Sequence, residues 1–200
     1  MTIDPVLVKQ ATDFHGHWCP GLAIGIRAAE WALKEMGKAS DEGIVAVVET
    51  DMCAVDAIQS LTGCTFGKGN LIHKDYGKSA FTFYRRQDGK AARLVARPDL
   101  HGEARVTLGR LRKKMEGEGL TEEEEKVWSE TREGIAKRIM ESRLEDLFKI
   151  EQPVDPVPKK ARVVLSLICE SCGESVMETR TRRFQEQVLC IPCFESREKR

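Results

Sequence analysis

Cys169-x2-Cys172 and Cys190-x2-Cys193, with seventeen residues between the two pairs, restrict this chain more than any other feature. A zinc ion takes four ligands at tetrahedral corners, with Zn–S of about 2.3 Å. One Cys-x2-Cys turn supplies two thiolates, and a returning hairpin brings the second pair to the same point. A module of about 40 residues cannot fold on its apolar core alone and needs such a staple. Cys169, Cys172, Cys190 and Cys193 therefore read as ligands of a structural zinc, with a redox-active Cys-x2-Cys pair as the alternative. Four protein thiolates leave no position open for substrate, so this zinc is not expected to be catalytic. The chain holds seven cysteines, and no apolar stretch follows a basic N-terminus. An odd cysteine count with paired Cys-x2-Cys motifs in an unexported chain reads as metal binding, which makes a reducing cytoplasm the expected setting. No run of eighteen apolar residues exists, so no membrane association is expected.

Pro153, Pro156 and Pro158 forbid a helix and favour an extended linker. The expected organisation is a core domain over residues 1–152, a Pro-rich linker over 153–160, and a zinc-finger domain over 161–200. The finger should begin with a strand over Val163–Ile168. The residues after Cys193 are helix-compatible, an arrangement that resembles a treble-clef finger. From Lys159 to Arg200 nine Lys/Arg face six Asp/Glu, and Arg180, Arg182 and Arg183 form the one basic cluster. Over the whole chain 32 Lys+Arg balance 32 Asp+Glu. That balance gives no reason to expect nucleic acid as a partner, and the arginine cluster is only a weak signal for it.

In the core region, Gly21 to Met36 carries an apolar helical face (Leu22, Ile26, Ala29, Leu33), and Gly37 closes it. Ile44 to Glu49 is short and β-branched, as a buried strand is. Thr50 or Asp51 can cap a helix over 52–62 that stops at Gly63. Leu71–Lys74, Ala80–Arg85 and Ala91–Arg97 are further strands, the last two joined through Asp88-Gly89. Glu103–Met115 and Thr121–Ile150 read as amphipathic helices, and Thr121 with Glu124 matches a capping box.

FHGHWCPG, from Phe14 to Gly21, sets His15, His17 and Cys19 at alternate positions. In an extended segment these would share one face, where a metal is held or a thiolate activated. The alternative is a buried turn whose histidines bond to backbone. Cys19 precedes a helix start, where unpaired amide N–H groups and the dipole favour a thiolate. Cys53 has a similar position, and Cys64 precedes a Gly-rich loop. Eleven residues of helix separate Cys53 from Cys64 by roughly 16 Å, whereas two sulfurs on one zinc lie within about 4 Å. His17, Cys19 and Cys64 form the first-choice ligand set, because the loop can close over a site, and His17, Cys19 and Cys53 form the second. Either leaves one position open, the usual state of catalytic zinc. His15 then supports the site or faces a substrate. Asp56, one turn beyond Cys53, is the candidate acid–base or supporting carboxylate; Cys19, His17, Cys64 and Asp56 are the candidate catalytic set.

FHGHWCPGLAIGIRAAEWAL and DMCAVDAIQSLTGCTFGKGNL, over residues 10–105, resemble the FmdE-like family, named for a component of formylmethanofuran dehydrogenase. The cysteine-rich tail resembles the C4 zinc finger of TraR/DksA type that some members append. The resemblance implies an α+β fold, a mixed β-sheet flanked by helices described as thioredoxin-like. It also implies a metal site at His17/Cys19 and the Cys53–Cys64 segment. Some members accompany molybdenum or tungsten formylmethanofuran dehydrogenase in methanogens; others occur in anaerobes that make no methane.

Three functions follow as expectations. The first is an accessory subunit or metal- and thiol-dependent factor for a molybdenum or tungsten oxidoreductase of the formylmethanofuran dehydrogenase type. The second is a stand-alone enzyme with a second zinc, or another transition metal, at His17/Cys19. The third is a zinc-finger regulator that binds nucleic acid or RNA polymerase. Apolar helix faces make a homodimer plausible.

Overall fold

The computed structural model describes residues 3–39 and 41–199. The chain divides after Lys160 into two compact units. In the first, α1 (Pro5–His15) starts at Asp4, whose carboxylate accepts from the Val6 N–H, and ends where Gly16 turns left-handed at φ 89°. Asp-Pro at the start and Gly at the stop are the helix signals there. The FHGHWCPG segment is therefore not one extended strand. Phe14 and His15 finish a helix, Gly16 reverses the chain, and Cys19 caps the next helix.

That helix, α2 (Pro20–Glu35), leads to β1 (Ile44–Val48), α3 (Ala54–Thr62) and β2 (Leu71–His73). β1 and β2 pair in parallel, which requires a crossover, and α3 supplies it. Neither Thr50 nor Asp51 caps α3; Cys53 occupies the cap position without a side-chain bond, and Gly63 ends the helix left-handed as expected. β3 (Ala80–Arg85) and β4 (Ala91–Ala96) form the expected hairpin. α4 (Ala104–Gly117) and α5 (Glu122–Glu141) follow, α5 opened by the Thr121/Glu124 capping box.

The expected helix to Ile150 ends instead at Glu141. A short turn, α6 (Leu144–Leu147), leads into β5 (Phe148–Glu151), which pairs with β4. Phe148-Lys149-Ile150-Glu151 alternates apolar and polar, the strand period. Phe148 is fully buried, and β5 supplies the hydrogen-bonding partner that β4 would otherwise lack. The sheet order is β2-β1-β3-β4-β5, antiparallel except for β1/β2. The result is an α+β unit with a mixed sheet flanked by helices.

One face of the sheet buries Ala46, Val48, Phe81, Phe83 and Leu94 against Ala28, Ala32, Ile58, Ile135 and Ile139 of α2, α3 and α5. The other face carries Val45, Val47 and Tyr84. Part of the Pro-rich segment meets this face. Val157 joins that apolar cluster, the Tyr84 hydroxyl donates to the Asp155 carbonyl at 3.1 Å, and the Lys74 ammonium meets the Asp155 carboxylate at 2.5 Å. Val45 and Val47 give Val157 an apolar surface to pack on.

The second unit holds β6 (Ser166–Ile168) paired with β7 (Ser175–Met177), a 3-10 turn at Glu178–Arg180, β8 (Thr181–Phe184) paired with β9 (Gln187–Cys190), and α7 (Ile191–Glu198). The first strand is shorter than expected, and the helix after Cys193 is present. Gln185 and Glu186, both at positive φ, make the two-residue turn between β8 and β9.

Candidate metal centre

In the second unit, the sulfurs of Cys169, Cys172, Cys190 and Cys193 all lie within 4.8 Å of one another. Cys169 and Cys172 flank the turn after β6; Cys190 ends β9 and Cys193 sits in the first turn of α7. The backbone N–H groups of Cys172 and Cys190 hold the Cys169 thiol down to about 6, and the Cys190 N–H stands 3.2 Å from that sulfur. Among the described residues, Cys169, Leu189 and Cys190 alone are buried in the unit's own apolar cluster. Such a small core leaves the cysteine cluster to hold the hairpins together. The donor set fits tetrahedral zinc, whose ligand edges would be about 3.8 Å for Zn–S of about 2.3 Å.

The first unit brings together His15, His17, Cys19 and Cys53, again with one ligand atom from each within 4.8 Å of the others. Three helix ends converge to make this group. α1 delivers His15 in its last turn, and Gly16 swings His17 back, so the two imidazole rings lie 4.4 Å apart. Cys19 caps α2, its sulfur accepting the Leu22 N–H at 3.3 Å. Cys53 opens α3.

Two glycines let α3 come close enough to α2. A Cβ on Gly25 would stand 2.2 Å from the Ala54 carbonyl oxygen, and one on Gly21 would stand 3.2 Å from the Cys53 Cβ. At Gly25 only a residue without a side chain permits this approach, and it places Cys53 beside Cys19. Burial, then the adjacent Cys19, push the Cys53 thiol up. Two thiolates in one desolvated site repel, and a cation relieves that cost.

His15 Nδ1 lies 2.7 Å from Asp56 Oδ2, while its Nε2 lies 3.9 Å from the Cys19 sulfur. A carboxylate that takes the Nδ1 proton in a hydrogen bond leaves the Nε2 lone pair free for a metal. Two imidazoles and two thiols, one imidazole backed by a carboxylate, fit zinc or a similar transition ion.

The first-choice set of His17, Cys19 and Cys64 is not assembled. Cys64 is fully buried beyond the other end of α3, its thiol 3.6 Å from the Ile44 carbonyl of β1. Burial pushes that thiol up. The Gly-rich loop does not carry it to a surface, because the Cys64 and Thr65 N–H groups are tied to Thr62 and Asn70. The second-choice residues do meet, and His15 stands within the same group. Its signal was Gly16, a helix stop that turns His15 and His17 toward one point. Asp56 sits beside His15.

A cleft of roughly 330 Å³ opens next to Cys19, lined by Trp18 and by Trp128, Ser129, Arg132 and Glu133 of α5. No sequence motif marked those α5 residues.

The family described as "FmdE, Molybdenum formylmethanofuran dehydrogenase operon" matches residues 14–149. The prokaryotic DksA/TraR C4-type zinc finger matches residues 165–199. An Archaeoglobus fulgidus protein named "Probable S-adenosyl-L-methionine-binding protein" is 34% identical over 95% of this chain. The chain spans about half of that relative, 53% of its length. The crystal structure of a tungsten formylmethanofuran dehydrogenase FmdE-like protein from Syntrophus aciditrophicus is similar in fold. Its TM-score is 0.63 at 24% identity, over 98% of this chain and 94% of that one.

Proposed function

The chain belongs to the FmdE family and carries a C4 zinc finger, and from that premise we propose that it is a metal-dependent factor working alongside a molybdenum or tungsten oxidoreductase of the formylmethanofuran dehydrogenase type. The observation that carries the metal reading is the convergence of His15, His17, Cys19 and Cys53 at the ends of three helices, with Asp56 behind His15. When bound, a transition ion would supply Lewis acidity at this group, one of whose residues, Cys19, lines the cleft. The chain's own residues do the rest. Asp56 orients His15 and holds the proton at Nδ1. The Leu22 N–H fixes the Cys19 sulfur. Burial of Cys19 and the α2/α3 contact exclude water from one side. The finger's zinc has a structural role, and its second cysteine pair at the start of α7 supports the treble-clef reading. Seven free thiols suit a reducing cytoplasm.

A second reading, a stand-alone zinc-dependent enzyme, is favoured by the cleft, which offers a binding space beside Cys19. Metal analysis tests the site. Wild type and Cys64→Ser should each hold two ions per chain, and Cys19→Ser and Cys53→Ser one. A single ion in wild type and Cys53→Ser alike would remove the N-terminal centre. Copurification with a molybdenum or tungsten enzyme supports the accessory role; turnover of a small molecule by the isolated chain supports the second reading.

A further inference from the structure

The cleft beside Cys19 has a composition that the metal group does not explain. Trp18 forms one part of its wall from the loop between the metal-facing His17 and Cys19, and Trp128 and Arg132 form another from α5. Both indoles are half-buried, so each presents part of a ring to the cleft. The Arg132 guanidinium lies over the Trp128 ring, 5.6 Å from its centroid. Among the described residues it makes no ion pair and no hydrogen bond, although α5 is rich in carboxylates. Other arginines in this unit are engaged: the buried Arg27 with Glu30, and the half-buried Arg85 with Asp88 and Arg93 with Glu49 and Glu151. A guanidinium stacked on an indole is stiffened in plane and keeps its fork of N–H donors free, a geometry that matches a carboxylate or phosphate. Exposed indole faces favour flat π systems. Ser129 and Glu133 stand at the same wall as hydrogen-bonding groups.

We infer that this cleft binds a planar aromatic or heteroaromatic molecule bearing an anionic group, its ring against Trp128 and Trp18 and its anion on Arg132. The inference deepens the proposed function and rests on it for one point, the placement of the bound molecule next to the metal ligand Cys19. A ring seated there brings a substituent toward the metal group while the anion anchors the far side, which is how orientation is gained in a small site.

Calorimetric titration of the full-length, metal-loaded chain with AMP, indole-3-carboxylate and pterin-6-carboxylate tests it. At least one of these should bind with a dissociation constant below about 1 mM. Trp128→Ala and Arg132→Ala should each weaken that binding about tenfold or more, and the uncharged adenosine or indole-3-carboxamide should bind similarly less tightly. Arg132→Gln and Trp128→Leu serve in place of any variant whose circular dichroism departs from wild type. No binding by any probe, or equal affinity in wild type and both variants, overturns the inference. The same titration on Cys53→Ser separates the two readings. Ligand bound without the N-terminal metal leaves the cleft assigned while the metal reading fails on ion content. Metal retained in Arg132→Ala with ligand binding lost shows the reverse independence.

Discussion

His15 Nδ1 and Asp56 Oδ2 stand 2.7 Å apart, joining the last turn of α1 to the first turn of α3 across the candidate metal centre. A carboxylate there favours the tautomer with its proton at Nδ1, which leaves the nitrogen that faces Cys19 free to bind an ion. Asp56→Asn keeps the volume but can offer its amide nitrogen to Nδ1 and favour the wrong tautomer. It should weaken metal affinity at this site about 10–100-fold, the usual cost of losing such a partner. Competition with a graded chelator, with zinc in the C-terminal finger as internal reference, measures it.

Gly25 faces the Ala54 carbonyl oxygen with no room for a Cβ. Gly25→Ala should force α2 and α3 apart and destabilise the first unit by about 1–3 kcal/mol, the range for overpacking. Cys53 would move from Cys19 with the helix. Loss of N-terminal metal affinity alongside a lower melting temperature is the expected pair of results.

Cys64 belongs to the core and not to the metal group. Cys64→Ala removes a buried sulfur and should cost about 1 kcal/mol or slightly more, by analogy with small buried deletions, while metal content stays at the wild-type value. Loss of an ion in this variant would reinstate Cys64 as a ligand.

Glu49 is buried and receives two hydrogen bonds from Arg93, at 2.7 and 2.9 Å. Those bonds, chiefly, hold its carboxyl below the usual value of 4.5. A carboxyl depressed in the folded state contributes stability that is complete above the unfolded value and is lost as pH falls through the folded one. Glu49→Gln should therefore be less stable than wild type by about 1–3 kcal/mol at pH 7. The gap should close as pH falls below the usual carboxyl value of 4.5, as urea unfolding at several pH values would record.

Loss of the finger's zinc should act on the second unit alone. With three buried residues in its apolar cluster, Cys172→Ser should unfold residues 161–200. Limited proteolysis should then trim the chain back to about the domain boundary while the first unit keeps its melting transition.

The sequence alone determined the local facts. Four cysteines at a fixed spacing specify a tetrahedral zinc finger, because two-residue spacers place both sulfurs of each pair on one turn. A short β-branched run located β1, the Asp88-Gly89 turn β3 and β4, a glycine stop the end of α2 and the capping box the start of α5, because those signals act within one or two turns of chain. The FmdE resemblance was also legible, in two long motifs. The tertiary structure decided what depends on distance through space. It selected Cys53 over Cys64, since a rigid helix cannot bring both its ends to one ion, and the Gly21 and Gly25 contacts determined which end approached Cys19. It brought His15 beside His17, Cys19 and Cys53 through one left-handed residue, Gly16. It turned Phe148–Glu151 into a strand because β4 had an unpaired edge, and set Val157 against Val45 and Val47 on the sheet's other face. It placed Trp128 and Arg132 beside Cys19 from more than a hundred residues away, a meeting that no periodicity in α5 records.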